Sequence, residues 1–211
     1  VPTFGYYGHH PDVIKLAKPP SMLERGLAHS RIAMAGWLSG LTLAETQALF
    51  CEETYERLGY FDKRDSDRDK ILTVFSARGL DITELFDSWH DRPGFLHYPA
   101  HPKTGFFMDM VQLAMERAGF PADTDAATLQ AARDSLVDYL EDGVLWPVYP
   151  EIAARHGIAA IPPDWRSSAA KGQGEHFDLP EMLRRSFAIY DAHPDCRAAM
   201  ETALGGPDQV A

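Results

Sequence analysis

What this chain has little of narrows it first. It holds only two cysteines, Cys51 and Cys196. Their number and spacing exclude a disulfide framework and a zinc-finger pattern, and the plain expectation is a reducing, cytoplasmic setting. Basic residues are outnumbered, 20 Lys and Arg against 31 Asp and Glu, for a formal net charge of -11. That balance argues against a nucleic-acid partner, because phosphates need a basic face to neutralise them. It leaves room for a small anionic ligand held by a local cationic group and a helix N-terminus. No apolar run is long enough to span a bilayer, and no basic stretch followed by an apolar one opens the chain as a leader would. The phosphate-cradling glycine loops and the GxSxG nucleophile elbow are missing as well. No internal repeat or low-complexity segment is visible.

The remainder is ordinary globular composition, 45% hydrophobic and 24% charged in 211 residues, enough for one domain with a sizeable core. Residues 1–204 read as that domain and 205–211 as a frayed tail. The start, Val1-Pro2-Thr3-Phe4-Gly5-Tyr6-Tyr7-Gly8, reads as strand and turn without an initiating Met, which suggests processing or a longer parent chain.

Helical patterns dominate. Ser21 to Ser39 carries Leu23, Leu27, Ile32, Met34, Ala35 and Leu38 at apolar positions, weakened by Gly26 and Gly36. Thr42-Leu43-Ala44-Glu45 is a capping box, opening a helix that runs past Cys51 to Gly59. Further helices are expected over 65–78, 82–90, 104–118, 124–140, 151–156, 179–190 and 195–204. Asp178 serves as an N-cap and Pro180 sits in the first turn of the penultimate one. In the 104–118 helix Phe106, Phe107, Met110, Val111, Leu113 and Ala114 are expected on one buried face. Strands are few: near Thr3–Tyr7, Phe95–Tyr98 and Ile158–Ile161. The fold class is therefore α/β, predominantly helical with a few short strands, suited to the edge of a larger parallel sheet completed by an upstream segment.

Three clusters carry candidate chemistry. The richest is Phe95-Leu96-His97-Tyr98-Pro99-Ala100-His101-Pro102-Lys103, two histidines and a lysine between a strand and a helix start, where side chains and free amides commonly meet a ligand. An imidazole there can exchange a proton near neutral pH. Gly8-His9-His10-Pro11-Asp12 could act as metal ligands or an acid–base pair, or be a turn with Asp12 as a cap. His10 and Asp12 share a face of an extended chain. His29-Ser30-Arg31 lies in the first helical pattern, where adjacent residues do not face each other. Cys51, beside Glu52 and Glu53, reads as structural, since acidic neighbours disfavour a thiolate.

Taken in order, Tyr7 to Asp12, His29-Ser30-Arg31-Ile32, Gly40-Leu41-Thr42, Leu49-Phe50, Leu58-Gly59-Tyr60, the His97–Lys103 stretch, Asp178-Leu179-Pro180, Ser186-Phe187 and Tyr190 resemble the WcbI family of capsular polysaccharide biosynthesis enzymes, from about Pro2 to Tyr190. The resemblance implies an α/β fold that binds coenzyme A or acetyl-coenzyme A. It also implies transfer or removal of acetyl groups on a bacterial surface polysaccharide. Two features of that family are missing: a cysteine motif on a first strand–helix turn, and an Asn where this chain has Ala100. On this basis His101 is expected as the base, with His97 orienting it or touching the ligand. Lys103 and the following helix start are expected to hold phosphate, and His10, Asp12, His29, Ser30 and Arg31 to line the same cavity. No metal is expected. Partners are a small molecule or glycan, and a missing N-terminal segment or a second copy of the chain. An acetyl hydrolase and a non-catalytic binding domain in glycan assembly stand as alternatives.

Overall fold

A computed structural model of the chain describes residues 5–23, 27–90, 95–119, 126–138, 140, 143–158, 164–167 and 174–205. Among them, ten helices and three two-stranded antiparallel pairs alternate. No helix among the described residues is long and apolar enough to cross a membrane.

Strand β1 (Val13–Lys15) pairs with β2 (Ala28–Ser30), placing Val13 opposite Ser30 and Lys15 opposite Ala28. Helix α1 (Arg31–Leu38) leaves β2 directly. A continuous helix from Ser21 is thus not what forms: residues 28–30 are strand, and the helix begins where Ser30 caps the Ala33 amide. The physical reason is Asp12, whose backbone carbonyl accepts the Arg31 amide and whose Oδ1 accepts the Ile32 amide at 3.0 Å. A carboxylate on the first turn fixes a helix start more firmly than apolar periodicity can. Gly36 also acquires a purpose, since a Cβ there would run into the Thr46 side chain of α2 (Leu43–Ala48).

The capping box forms as expected: Thr42 caps the Glu45 amide and Glu45 returns to the Thr42 amide at 2.8 Å. The helix it opens stops at Ala48, and α3 (Glu52–Arg57) starts afresh. Cys51 is therefore an N-cap residue between two short helices and not mid-helix; its Sγ lies 3.6 Å from Thr54 Oγ1. Helices α4 (Lys63–Ser76) and α5 (Thr83–His90) follow. The hairpin of β3 (Leu96–Tyr98) and β4 (His101–Pro102) leads into α6 (Thr104–Arg117). In α6 only part of the expected face is covered: Phe106 is buried and Met110 and Leu113 pack inward, whereas Phe107 and Val111 are exposed. Helices α7 (Ala126–Ser135), α8 (Pro150–His156), α9 (Leu179–Ala192) and α10 (Arg197–Leu204) complete the helical set, with β5 (Trp165–Arg166) paired to β6 (His176–Phe177). Residues 5–7 form no strand; Tyr6 donates its amide to the Pro99 carbonyl instead. The strand expected near 158–161 and the 206–211 tail lie largely or wholly outside the described residues.

Two apolar clusters form the interior. The larger gathers β1, α1, α8, α9 and α10 around Ile32, Met34, Trp146, Ile152 and Met182. The smaller gathers α4, α5 and the start of α6 around Ile71, Phe86, Trp89 and Phe106. The β3 strand joins them, with Leu96 in the smaller cluster and Tyr98 in the larger. Residues 144–149 extend this junction without a regular strand. The Trp146 amide donates to the His97 carbonyl, and Leu145 and Arg166 exchange two backbone bonds at 3.1 Å. Pro147, with no N–H to give, interrupts the ladder.

The Asp12 carboxylate ties distant parts of the larger cluster. Besides the Ile32 amide it accepts Tyr60 Oη at 2.9 Å and Tyr149 Oη at 2.6 Å. Asp12→Ala strands these donors in the interior, and unsatisfied buried groups cost about 1–3 kcal/mol each. The expected loss is about 3–5 kcal/mol, against about 1–2 for Tyr149→Phe, which removes one donor. Urea denaturation of the two variants checks the order.

Candidate functional site

The hairpin sends its two histidines to different places. Cross-strand partners share a face, and Tyr98 pairs with His101, their rings 5.3 Å apart and edge to face. His97, adjacent to Tyr98 on the strand, points the other way. Its Nε2 lies 2.9 Å from Asp138 Oδ2, so that nitrogen carries the proton and donates. The same carboxylate accepts the Thr104 amide, the first of α6, at 3.3 Å, and the Leu140 amide at 3.1 Å. Burial alone would raise the Asp138 carboxyl, but these bonds hold it below its ordinary value. Asp138 was not singled out in the sequence, where nothing marks it among the acidic residues of a helical stretch.

That bond changes the role open to the start of α6. An internal carboxylate already takes its first amide, where Lys103 and this helix start were expected to hold a phosphate. Lys103 is the N-cap residue, makes no side-chain capping bond, and gives its amide to the Phe95 carbonyl.

His101 lines a pocket of about 200 Å³ together with Leu23, Leu27, Ala28, Tyr98, Ala100 and Val144. Lys15 of β1 also lines it; its exposed ammonium stands 5.9 Å from the Tyr7 ring centre and 6.0 Å from that of Tyr98, within cation–π range. The cation beside His101 is thus Lys15, brought from 86 positions away by chain folding, and not its sequence neighbour Lys103. Burial, then the His97 and Lys15 charges, lower the His101 pKa. Its ring is neutral at pH 7 and able to accept a proton. His101 Nδ1 is buried with no hydrogen-bond partner among the described residues, as are His10 Nε2 and His29 Nε2.

The remaining candidates sit inside the fold and not along this pocket. His10 is buried, its Nδ1 3.2 Å from the Pro147 carbonyl. His29 is buried with Nδ1 3.3 Å from Tyr190 Oη. Burial holds both rings down at about 4. Burial pushes the Asp12 carboxyl up, against hydrogen bonds from Ser30, Tyr149, the Ile32 amide and Tyr60. Ser30 is occupied as the α1 N-cap. Arg31 reaches across to the Leu204 carbonyl at 3.3 Å, where a cation suits the carbonyl end of α10. His10, Asp12, His29, Ser30 and Arg31 therefore hold elements together, and His101 is the candidate that reaches the pocket. Cys51 and Cys196 lie outside it. Among the described residues no group of three or more His, Cys, Asp or Glu could hold a metal ion. Larger concavities exist, one of about 570 Å³ between α5 and α6. That one is walled by Asp81, Glu84 and Glu116 and contains no histidine, lysine or arginine among the residues that line it.

Comparison with known proteins places this geometry in a fold. No family model matches the chain, and no curated protein does. Among solved structures, WcbI is similar, with a TM-score of 0.59 and 15% identity, over 99% of this chain and 70% of that one. It is described as a novel polysaccharide biosynthesis enzyme, in its native form without a disulfide bond between coenzyme A and a cysteine. At this identity the likeness shows a distantly related fold.

Two measurements follow from the geometry. His10 and His29 titrate at about 4 in the folded chain against 6.5 when exposed. Between those values the unfolded chain binds more protons, so stability rises with pH there. It is fully present above about pH 7 and falls by several kcal/mol as pH drops from 6.5 towards 4. Urea midpoints across that range check this, and His29→Asn flattens the slope. Asp138→Asn loses the charge on the first turn of α6 and weakens the His97 bond, costing about 1–2 kcal/mol by thermal unfolding.

Proposed function

We propose that the chain is an acyltransferase of glycan biosynthesis that uses coenzyme A. The observation that carries this reading is His101: a neutral imidazole lining an apolar pocket beside the Lys15 ammonium. The similarity in fold to WcbI, whose description names polysaccharide biosynthesis and coenzyme A, supports the substrate class and the cofactor.

The pocket is smaller than the roughly 300–1,000 Å³ that encloses a drug-sized ligand, so it would take the thioester end of acyl-coenzyme A and leave the nucleotide on the surface. Lys15 supplies positive charge where a molecule with several phosphates must approach a chain of net charge -11. In the reaction His101 accepts the proton of a sugar hydroxyl as that oxygen bonds to the thioester carbonyl carbon. The carbon–sulfur bond then breaks, and the imidazolium returns the proton to the departing sulfur, giving the sugar ester and free coenzyme A. His97, held by Asp138, positions the hairpin that carries His101. Neither cysteine lines the pocket, so the acyl group passes directly from sulfur to oxygen in this scheme. Residues 1–204 act as one unit, and a parallel sheet completed by an upstream segment belongs to the same proposal; the similar structure extends beyond the part this chain covers.

Coenzyme A at one hundred times its dissociation constant stabilises by about 2.7 kcal/mol. Thermal unfolding with millimolar coenzyme A is expected to show a rise of several degrees, and no rise removes the cofactor. His101→Ala is expected to lower acyl transfer about 10²–10⁴-fold while unfolding near the parent temperature. Acyl release to water without a sugar acceptor would make the protein a hydrolase. Binding with no turnover of any acyl-coenzyme A would make it a binding domain.

A further inference from the structure

The pocket also bears on which acyl group is carried, an inference that rests on the coenzyme A reading. Leu23, Leu27, Ala28, Ala100 and Val144 give it an aliphatic wall, and only Lys15 and His101 bring ionisable groups near neutrality. An apolar cavity of about 150 Å³ holds a guest the size of benzene. A pocket of about 200 Å³, open to solvent at the half-exposed Leu27, therefore offers more apolar wall than the two carbons of an acetyl group can cover, and a longer chain covers the remainder.

We propose that the acyl group is an aliphatic chain of about four to six carbons, seated against Leu23, Leu27 and Val144, with its thioester carbonyl at the Lys15 and His101 end. The transfer balances as for any acyl group. The hydroxyl oxygen gains the carbonyl carbon, the carbon–sulfur bond breaks, and the proton travels through His101 from oxygen to sulfur. Chain length is then read by burial. Each added methylene contributes about 0.8 kcal/mol, about fourfold in affinity, until the pocket is full.

The test uses the whole chain and unreactive S-alkyl coenzyme A thioethers, from S-methyl to S-decyl, in titration calorimetry. Affinity is expected to rise about fourfold per methylene to about S-hexyl and then level or fall. Ala100→Leu, which adds three carbons to the wall, moves the break about two carbons shorter. An affinity that is flat along the series while coenzyme A itself binds overturns the inference and leaves the coenzyme A reading standing. So does a rise that continues unbroken to S-decyl, which signals an open greasy surface. Failure of coenzyme A and of every thioether to bind overturns the coenzyme A reading, and the inference with it.

Discussion

A carboxylate with no access to water must be held by donors, and Asp12 is held by the Ile32 amide and the Tyr60 and Tyr149 hydroxyls. Burial raises both phenols well above their ordinary range, so they remain donors throughout the pH range in which the protein folds. This one group sets where α1 starts, where the turn after α3 lies, and where the segment ahead of α8 crosses. The β1–β2 pair is pinned with it, and Lys15, three residues beyond Asp12, takes its place at the pocket. A buried carboxyl group that organises three segments is a device for specificity more than for raw stability, since an apolar replacement of matched shape can be as stable.

The second organising feature is the seam between the two apolar clusters. β3 spans it because its pairing with β4 shifts register between Leu96 and Tyr98, so these two side chains, which an unbroken strand would put on one face, enter different clusters. His97 bonds Asp138, and Tyr98 pairs with His101. A polar pair that fixes a hairpin through His97 leaves His101 to line the pocket. Gly8 contributes at the same junction, because a Cβ there would meet the Tyr6 ring and the Arg64 backbone.

Burial sorts the histidines by role. His10 and His29, deep inside, are held neutral and spend their bonding on the Pro147 carbonyl and Tyr190. His101 is half-buried and lines a pocket, its pKa lowered by burial and by neighbouring positive charge. A ring at a pocket wall is open to a ligand, which a ring deep in the interior is not.

Local chemistry was legible in the residues themselves. The Thr42–Glu45 capping box, the Asp178 cap with Pro180 in the first turn, and the helices at 63–76, 83–90, 104–117, 150–156 and 179–192 rest on bonds between neighbours a few positions apart. What lay between distant positions was not legible. The start of α1 depends on Asp12, 20 positions away from the Ile32 amide it holds. The partner of His97 is 41 positions on, and the cation beside His101 comes from β1. The sequence by itself determined a mostly helical chain with an imidazole at a strand exit, because helix periodicity and caps are short-range. Only the tertiary structure decided which histidines are buried and which reaches a pocket, because burial is a property of everything packed around a ring.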